Sequence, residues 1–171
     1  MILAVDVAYR GGNAAVGGIL FQQWDDDAPV REITAHVPSV KAYVPGRFYQ
    51  RELPCIFRLL EDVSEPVETI IIDAYAYLGK KQRAGLGTYL YCALFGQISV
   101  IGVAKTKFGD VPARTEVYRG ASKRPLYVTS VGMDERIARK RIADMAGTHR
   151  IPILLKRVDT LCRGLEHGKK T

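Results

Sequence analysis

With 171 residues, 47% of them hydrophobic and 25% charged, the chain has apolar mass for a sizeable core and is too apolar for a disordered segment. No apolar run approaches the ~18 residues of a membrane span, and Met1 leads straight into a strand-like segment without a basic leader, so residues 1–171 read as one cytoplasmic domain. The formal net charge of +7 favours an anionic partner, nucleic acid first, while the three cysteines, Cys55, Cys92 and Cys162, lack metal-site spacing and read as plain thiols in helices.

Residues 2–8 read as a buried strand, Arg10-Gly11-Gly12-Asn13 as a turn, and Ala14 to Gln22 as a second strand forming a hairpin with the first. The acidic loop around Asp25-Asp26-Asp27 leads to a third strand over 30–37. Phe48 to Val63 has helical periodicity through Phe48, Leu53, Ile56, Leu59 and Leu60, with Pro54 either kinking the helix or marking its true start. Glu68 to Asp73 is a β-branched run suited to a strand buried on both faces. Ala74 to Gln82 reads as a loop, Gly85 to Phe95 as a helix and Ser99 to Ala104 as another buried strand.

Lys105 to Arg124 has no periodicity, which predicts an extended or ligand-facing segment. Leu126 to Val131 is a strand, Asp134 caps a helix to Met145, and a last helix over 152–165 precedes a frayed polar tail, 166–171. Three strands followed by alternating helices and strands predict an α/β fold: a mixed sheet, with a three-strand antiparallel meander joined to parallel strands, flanked by helices. Basic residues gather at Lys80-Lys81-Arg83, at Lys105 and Lys107, at Arg119, Lys123 and Arg124, and from Arg136 to Arg141, the last group reading as a solvated helix face.

Two aspartates interrupt the apolar strands: Asp6 within Ile2-Leu3-Ala4-Val5-Asp6-Val7, and Asp73 ending Thr69-Ile70-Ile71-Ile72-Asp73. An ionised carboxylate in an apolar strand is costly unless compensated, and a divalent cation is a common reason to bear that cost twice. Each aspartate alone also suits a turn cap or an ion pair. Adjacent central strands would bring both to one end of the sheet, Glu52 near the start of the first helix would lean over that end, and Lys105, directly after a buried strand, would face it. Carboxylates converging there suit one or two Mg²⁺ ions and phosphodiester hydrolysis, with Lys105 offsetting phosphate charge.

Further residues carry a family resemblance. Ala4-Val5-Asp6-Val7, the run Ala42-Tyr43-Val44-Pro45-Gly46-Arg47-Phe48-Tyr49-Gln50-Arg51-Glu52, Ile72-Asp73, Ile101-Gly102-Val103-Ala104-Lys105 and Arg124-Pro125-Leu126-Tyr127-Val128 with Gly132 occur in the order of the endonuclease V motifs. The chain resembles that family over nearly its whole length. The resemblance implies a ribonuclease-H-like fold, a Mg²⁺ or Mn²⁺ cofactor, and cleavage of the second phosphodiester 3′ to inosine in DNA or RNA. It makes Asp6, Glu52, Asp73 and Lys105 the catalytic residues, with Asp6, Asp73 and Glu52 as metal ligands. It also makes Tyr43, Val44, Pro45 and Gly46 a wedge beside a displaced base, and Ala74, Tyr75, Ala76 and Gly85 the base pocket.

The chain departs from the family at two places. The family's late Gly-His turn is Gly132-Met133, which implies a site without that histidine; Asp134 then becomes either a replacement ligand or simply the helix cap. The Gly-x-Gly after the strand aspartate is Ala74-Tyr75-Ala76, which implies a narrowed pocket and altered base preference. A weakened relative that binds nucleic acid without efficient cleavage, or a hydrolase of another nucleic-acid structure, are the alternatives. No obligate protein partner is implied.

Overall fold

The computed structural model describes residues 1–45 and 47–167, the last three of these by backbone alone. A seven-stranded sheet contains β1 (Ile2–Arg10), β2 (Asn13–Phe21), β3 (Arg31–Val37), β4 (Thr69–Ile72), β7 (Ser99–Ala104), β8 (Glu116–Val117) and β9 (Leu126–Val131), in the order β3-β2-β1-β4-β7-β9-β8. The first three strands form the expected antiparallel meander, and β1, β4 and β7 run parallel.

The expected loop over 74–82 holds part of a separate hairpin, β5 (Tyr77–Leu78) with β6 (Arg83–Ala84). The segment after β7 carries a 3₁₀ turn (Ala113–Thr115) and β8. It has no crossover helix to return the chain to the starting end, so β9 pairs antiparallel to β7 and β8 antiparallel to β9.

Side chains alternate across the pleat and so sort the core into two layers. Leu3, Val5, Ile70, Ile72 and Val100 pack on the side of α1 (Tyr49–Leu60) and α2 (Leu86–Ala93). Ile2, Ala4, Ile71, Ile101, Val103, Leu126 and Val128 pack with Ala138 and Ile142 of α3 (Glu135–Asp144) and Leu154 and Val158 of α4 (Ile153–His167). The first two helices are joined by Tyr49 stacked on Tyr89, ring centroids 3.8 Å apart. α4 continues through His167, two residues beyond its expected end; of the expected tail, 168–171 lie outside the described residues.

Two strand glycines admit backbone. A Cβ on Gly17, the partner of Asp6 in the β1–β2 ladder, would stand 3.1 Å from both the Val158 carbonyl oxygen and the Cys162 amide nitrogen of α4. A Cβ on Gly102 would stand 2.4 Å from the Ala74 carbonyl oxygen and 2.5 Å from the Ala76 amide nitrogen. Gly102→Ala is therefore expected to cost roughly 3 kcal/mol, seen as a fall in Tm of about 6–12 °C in thermal unfolding.

Candidate active site

The site follows from strand register. Val5 pairs with Ile72 and Ile72 with Gly102 in the parallel ladders, so Asp6 and Asp73 stand level on neighbouring strands and Lys105 leaves β7 just beyond them. Asp6 continues the face of Ile2 and Ala4, Asp73 that of Ile71, and Lys105 that of Ile101 and Val103. All three side chains therefore leave the α4 face at the same rim. A one-residue slip in any strand would turn its group to the other face.

The Lys105 ammonium donates to Asp73 Oδ2 at 2.6 Å and stands 4.0 Å from Oδ1 of Asp159 on α4. The close approach permitted by Gly17 brings α4, and with it Asp159, against β1 and β2 beside Asp6. Asp159 also pairs with Lys156 and Arg163, and its carboxyl is held below the usual range, against the opposing effect of burial, by Arg163, Lys156 and Lys105.

Asp6 has weaker compensation. Burial, and then the Asp73 charge, push its carboxyl up to about 7, against the lowering effect of Lys105 and of the Val7 amide that donates to Oδ1 at 2.8 Å. A narrow cleft, partly open to solvent, runs from Asp6, Asp73 and Lys105 into an apolar floor that includes Ile71, Val103, Leu155 and Val158.

Glu52 arrives from the other face. It is buried in the first turn of α1, where Tyr9 donates its hydroxyl to Oε1 at 2.7 Å and the Arg51 guanidinium lies 3.5 Å above the Tyr9 ring. Burial raises its carboxyl to about 8; the Tyr9 hydrogen bond opposes that shift, and the charges of Asp6 and Asp73 add to it. The acidic groups thus share one rim and feel one another. Among the described residues, however, no three histidine, cysteine, aspartate or glutamate side chains stand together closely enough to hold an ion.

Asp134 does not belong to this rim. β9 runs opposite to β7, and its end at Val131 pairs with Val100 near the start of β7. Val100 is three residues, ~10 Å, below the level of Asp73, and Asp134 lies further on. Asp134 instead caps α3, accepting from the Arg136 amide at 2.7 Å and pairing with its guanidinium. The Gly132-Met133 turn sits at the same far end, with the Ser99 hydroxyl donating to the Gly132 carbonyl. A histidine there would not reach Asp6 or Asp73, so its replacement by Met133 removes nothing from this rim.

The expected base pocket is filled. Gly85 backs onto the Tyr75 and Ala76 carbonyls, whose oxygens would lie 2.7 and 2.9 Å from a Cβ placed on it. Tyr75 and Ala76 are buried, and only Ala74 keeps partial exposure. The Tyr75 hydroxyl donates to the Thr106 carbonyl at 2.8 Å and accepts from the Phe108 amide at 3.1 Å, which spends its polar end on the loop after β7. Tyr43 and Val44 stand 57% and 47% exposed on an irregular segment before α1, with Pro45 also exposed and the Arg47 amide donating to the Val44 carbonyl; Gly46 lies outside the described residues.

A family model described as endonuclease V matches residues 1–159. The chain belongs to the endonuclease V family. An endonuclease V from Streptomyces coelicolor is 27% identical over 95% of this chain and 77% of its own length, and one from Alkalilimnicola ehrlichii is 29% identical over 66% of this chain. The chain spans about half (48%) of the length of the Alkalilimnicola relative. Among solved structures, the Bacillus subtilis endonuclease V superposes with a TM-score of 0.79 at 18% identity, covering 97% of this chain and 80% of that one. The Ciona intestinalis endonuclease V, in complex with a 23-mer DNA containing an inosine followed by a ribo-adenosine, does so at 0.80 and 17%, covering 99% and 86%. These likenesses show the fold, the ribonuclease-H-like arrangement expected of an endonuclease V. Among the described residues no helix is long and apolar enough to cross a membrane.

Proposed function

We propose that this endonuclease V relative is a metal-dependent endonuclease that hydrolyses a phosphodiester near a deaminated, inosine-type base or a structural distortion in DNA or RNA, as a cytoplasmic repair enzyme. The observation that carries this is the juxtaposition of Asp6 and Asp73 on neighbouring parallel strands, with the Lys105 ammonium 2.6 Å from one carboxylate and 4.0 Å from that of Asp159. The inosine-containing DNA held by the Ciona relative supports the substrate class.

The donor set fits Mg²⁺ or Mn²⁺. It consists of hard carboxylate oxygens, and the Asp6 carboxyl, pushed up to about 7, is short of positive charge. Asp6 and Asp73 would hold the ion, Asp159 would join them only by closing toward it, since no three such groups among the described residues stand close enough as they are, and Glu52 lies at the opposite side of the rim. When bound, such an ion supplies a Lewis acid beside the scissile phosphate and a more acidic bound water.

The chain's own groups do the rest. Lys105 places a positive charge where a phosphate oxygen would lie. Burial raises the Glu52 carboxyl to about 8, and Tyr9 donates to its Oε1. The apolar floor beneath Asp6 lowers the local dielectric and so strengthens the electrostatics above it. Tyr43, Val44 and Pro45, exposed and stiffened by proline, suit a wedge beside an unstacked base.

The filled base pocket favours a second reading, a nucleic-acid-binding relative with weakened catalysis. Incubation with inosine-containing DNA and RNA oligonucleotides, alongside abasic, flap and mismatch substrates, separates the two. Nicking with Mg²⁺ or Mn²⁺ that chelation abolishes is the expected result. Salt-sensitive binding without a cut under any metal would leave only the second reading.

A further inference from the structure

Lys105 stands where the sheet stops supporting it: Ala104 and Tyr127 form the last pair of the β7–β9 ladder, so the backbone that aims its ammonium has no strand partner of its own. One guanidinium takes over. Arg150 Nη2 donates to the Lys105 carbonyl and, at 2.7 Å, to the Pro125 carbonyl just before β9. It thereby ties together the two strand ends where they would splay. Arg150 lies three residues before α4, the helix that carries Asp159.

The segment presenting Arg150 is itself wrapped around a second guanidinium. Arg119, grouped by sequence in a basic cluster with Lys123 and Arg124, is 5% exposed. It donates to the carbonyls of Ala143, Met145, Gly147, His149 and Arg150, with no carboxylate among these partners. A Cβ on neighbouring Gly120 would stand 2.1 Å from the Thr148 carbonyl oxygen, so the chain beside Arg119 also fits closely against this segment. Burying a guanidinium is costly, and here carbonyl dipoles gathered from the end of α3 and the loop after it offset the cost. The result fixes the loop between α3 and α4 in one shape.

We propose that Arg150 is a positioning residue for Lys105: held by the Arg119-centred loop, it fixes the Lys105 backbone so that the ammonium stands between Asp73 and Asp159. Both arginines spend their hydrogen bonds on backbone carbonyls. This rests on the nuclease reading for its kinetic consequence but not for its geometric one. A misplacement of about 1 Å can cost up to about a hundredfold in rate.

The test is a double-mutant cycle with a structural arm. Arg150→Gln is expected to lower kcat at least tenfold with KM within about twofold, and Arg150→Lys, which keeps the charge and several donors, to recover part of it. Combined with Lys105→Ala, Arg150→Gln should add little, because both act through one ammonium. Multiplicative losses, or equal losses in Arg150→Gln and Arg150→Lys that track only a fall in Tm, would overturn the assignment. If the wild type cleaves nothing, the nuclease reading fails, and a crystal structure of Arg150→Lys or Arg150→Gln still decides the matter. An ammonium displaced from Asp73 supports positioning; one unmoved from 2.6 Å refutes it.

Discussion

Asp73→Asn is expected to lower metal-dependent cleavage by roughly a thousandfold or more while leaving oligonucleotide affinity nearly unchanged. The carboxylate has two tasks that an amide cannot perform: it offers an anionic oxygen to a divalent cation and it anchors the Lys105 ammonium through Oδ2. The substitution is nearly isosteric at a half-exposed strand end, so the fold should survive and a rate loss would not reflect unfolding. Single-turnover cleavage with saturating Mn²⁺ and a parallel binding isotherm provide the check. Activity retained within about tenfold would mean that Asp73 does not serve the reaction.

Asp6→Asn has a second consequence, for stability. The folded pKa values of Asp6, about 7, and Glu52, about 8, lie above the ordinary carboxylate value near 4. Between about pH 4 and pH 8 the folded state therefore binds more protons than the unfolded state, and stability falls as pH rises through that window. This is the reverse of the usual behaviour of carboxylates paired with cations. In a chelator, the wild type is expected to lose Tm steadily from pH 5 to pH 8.5. Asp6→Asn, which cannot ionise, should be more stable than wild type at pH 8 by on the order of 4 kcal/mol and should gain less than half of that at pH 5. Mg²⁺ or Mn²⁺ should raise the wild-type Tm at pH 8 and leave Asp6→Asn nearly unmoved. Thermal melts across pH, with and without the ion, measure all of these. A wild-type Tm that rises toward pH 8 in chelator would show that the Asp6 charge is already compensated.

The parts of this arrangement that were legible in sequence are those written in local pattern. Ser99–Ala104 and Leu126–Val131 are strands to the residue, because β-branched runs bounded by turn chemistry leave little choice. Asp134 reads correctly as a cap because its partner is two residues away. The placing of Asp6 beside Asp73 was accessible because one interrupts and the other ends an apolar run whose only economical place is the centre of a sheet.

What sequence hid depends on distant contacts. Pro54 does not mark the start of α1, which runs over Tyr49–Leu60 with the proline inside. Burial of Cys55, Ile56 and Leu59 against the sheet offsets the lost amide bond. Arg119 reads only as one of a basic cluster with Lys123 and Arg124, since nothing local announces the carbonyls of 143–150. Asp159 was missed because Lys156 and Arg163 at i−3 and i+4 make it look like a solvated salt-bridge face. The one available signal was Gly17, a glycine within a buried strand and opposite Asp6, where a helix backbone comes close. Asp134 and the Gly132-Met133 turn misled for the converse reason: their distance from the site follows from β9 running antiparallel, a direction set by a connection without a helix.

The most direct measurement is anomalous diffraction from crystals soaked in Mn²⁺. The account predicts a peak at the rim of β1 and β4, with oxygens of Asp6 and Asp73 about 2.1 Å away and that of Asp159 coordinated directly or through one water. Soaked crystals with no peak there, and with Lys105 still seated on Asp73, would contradict it.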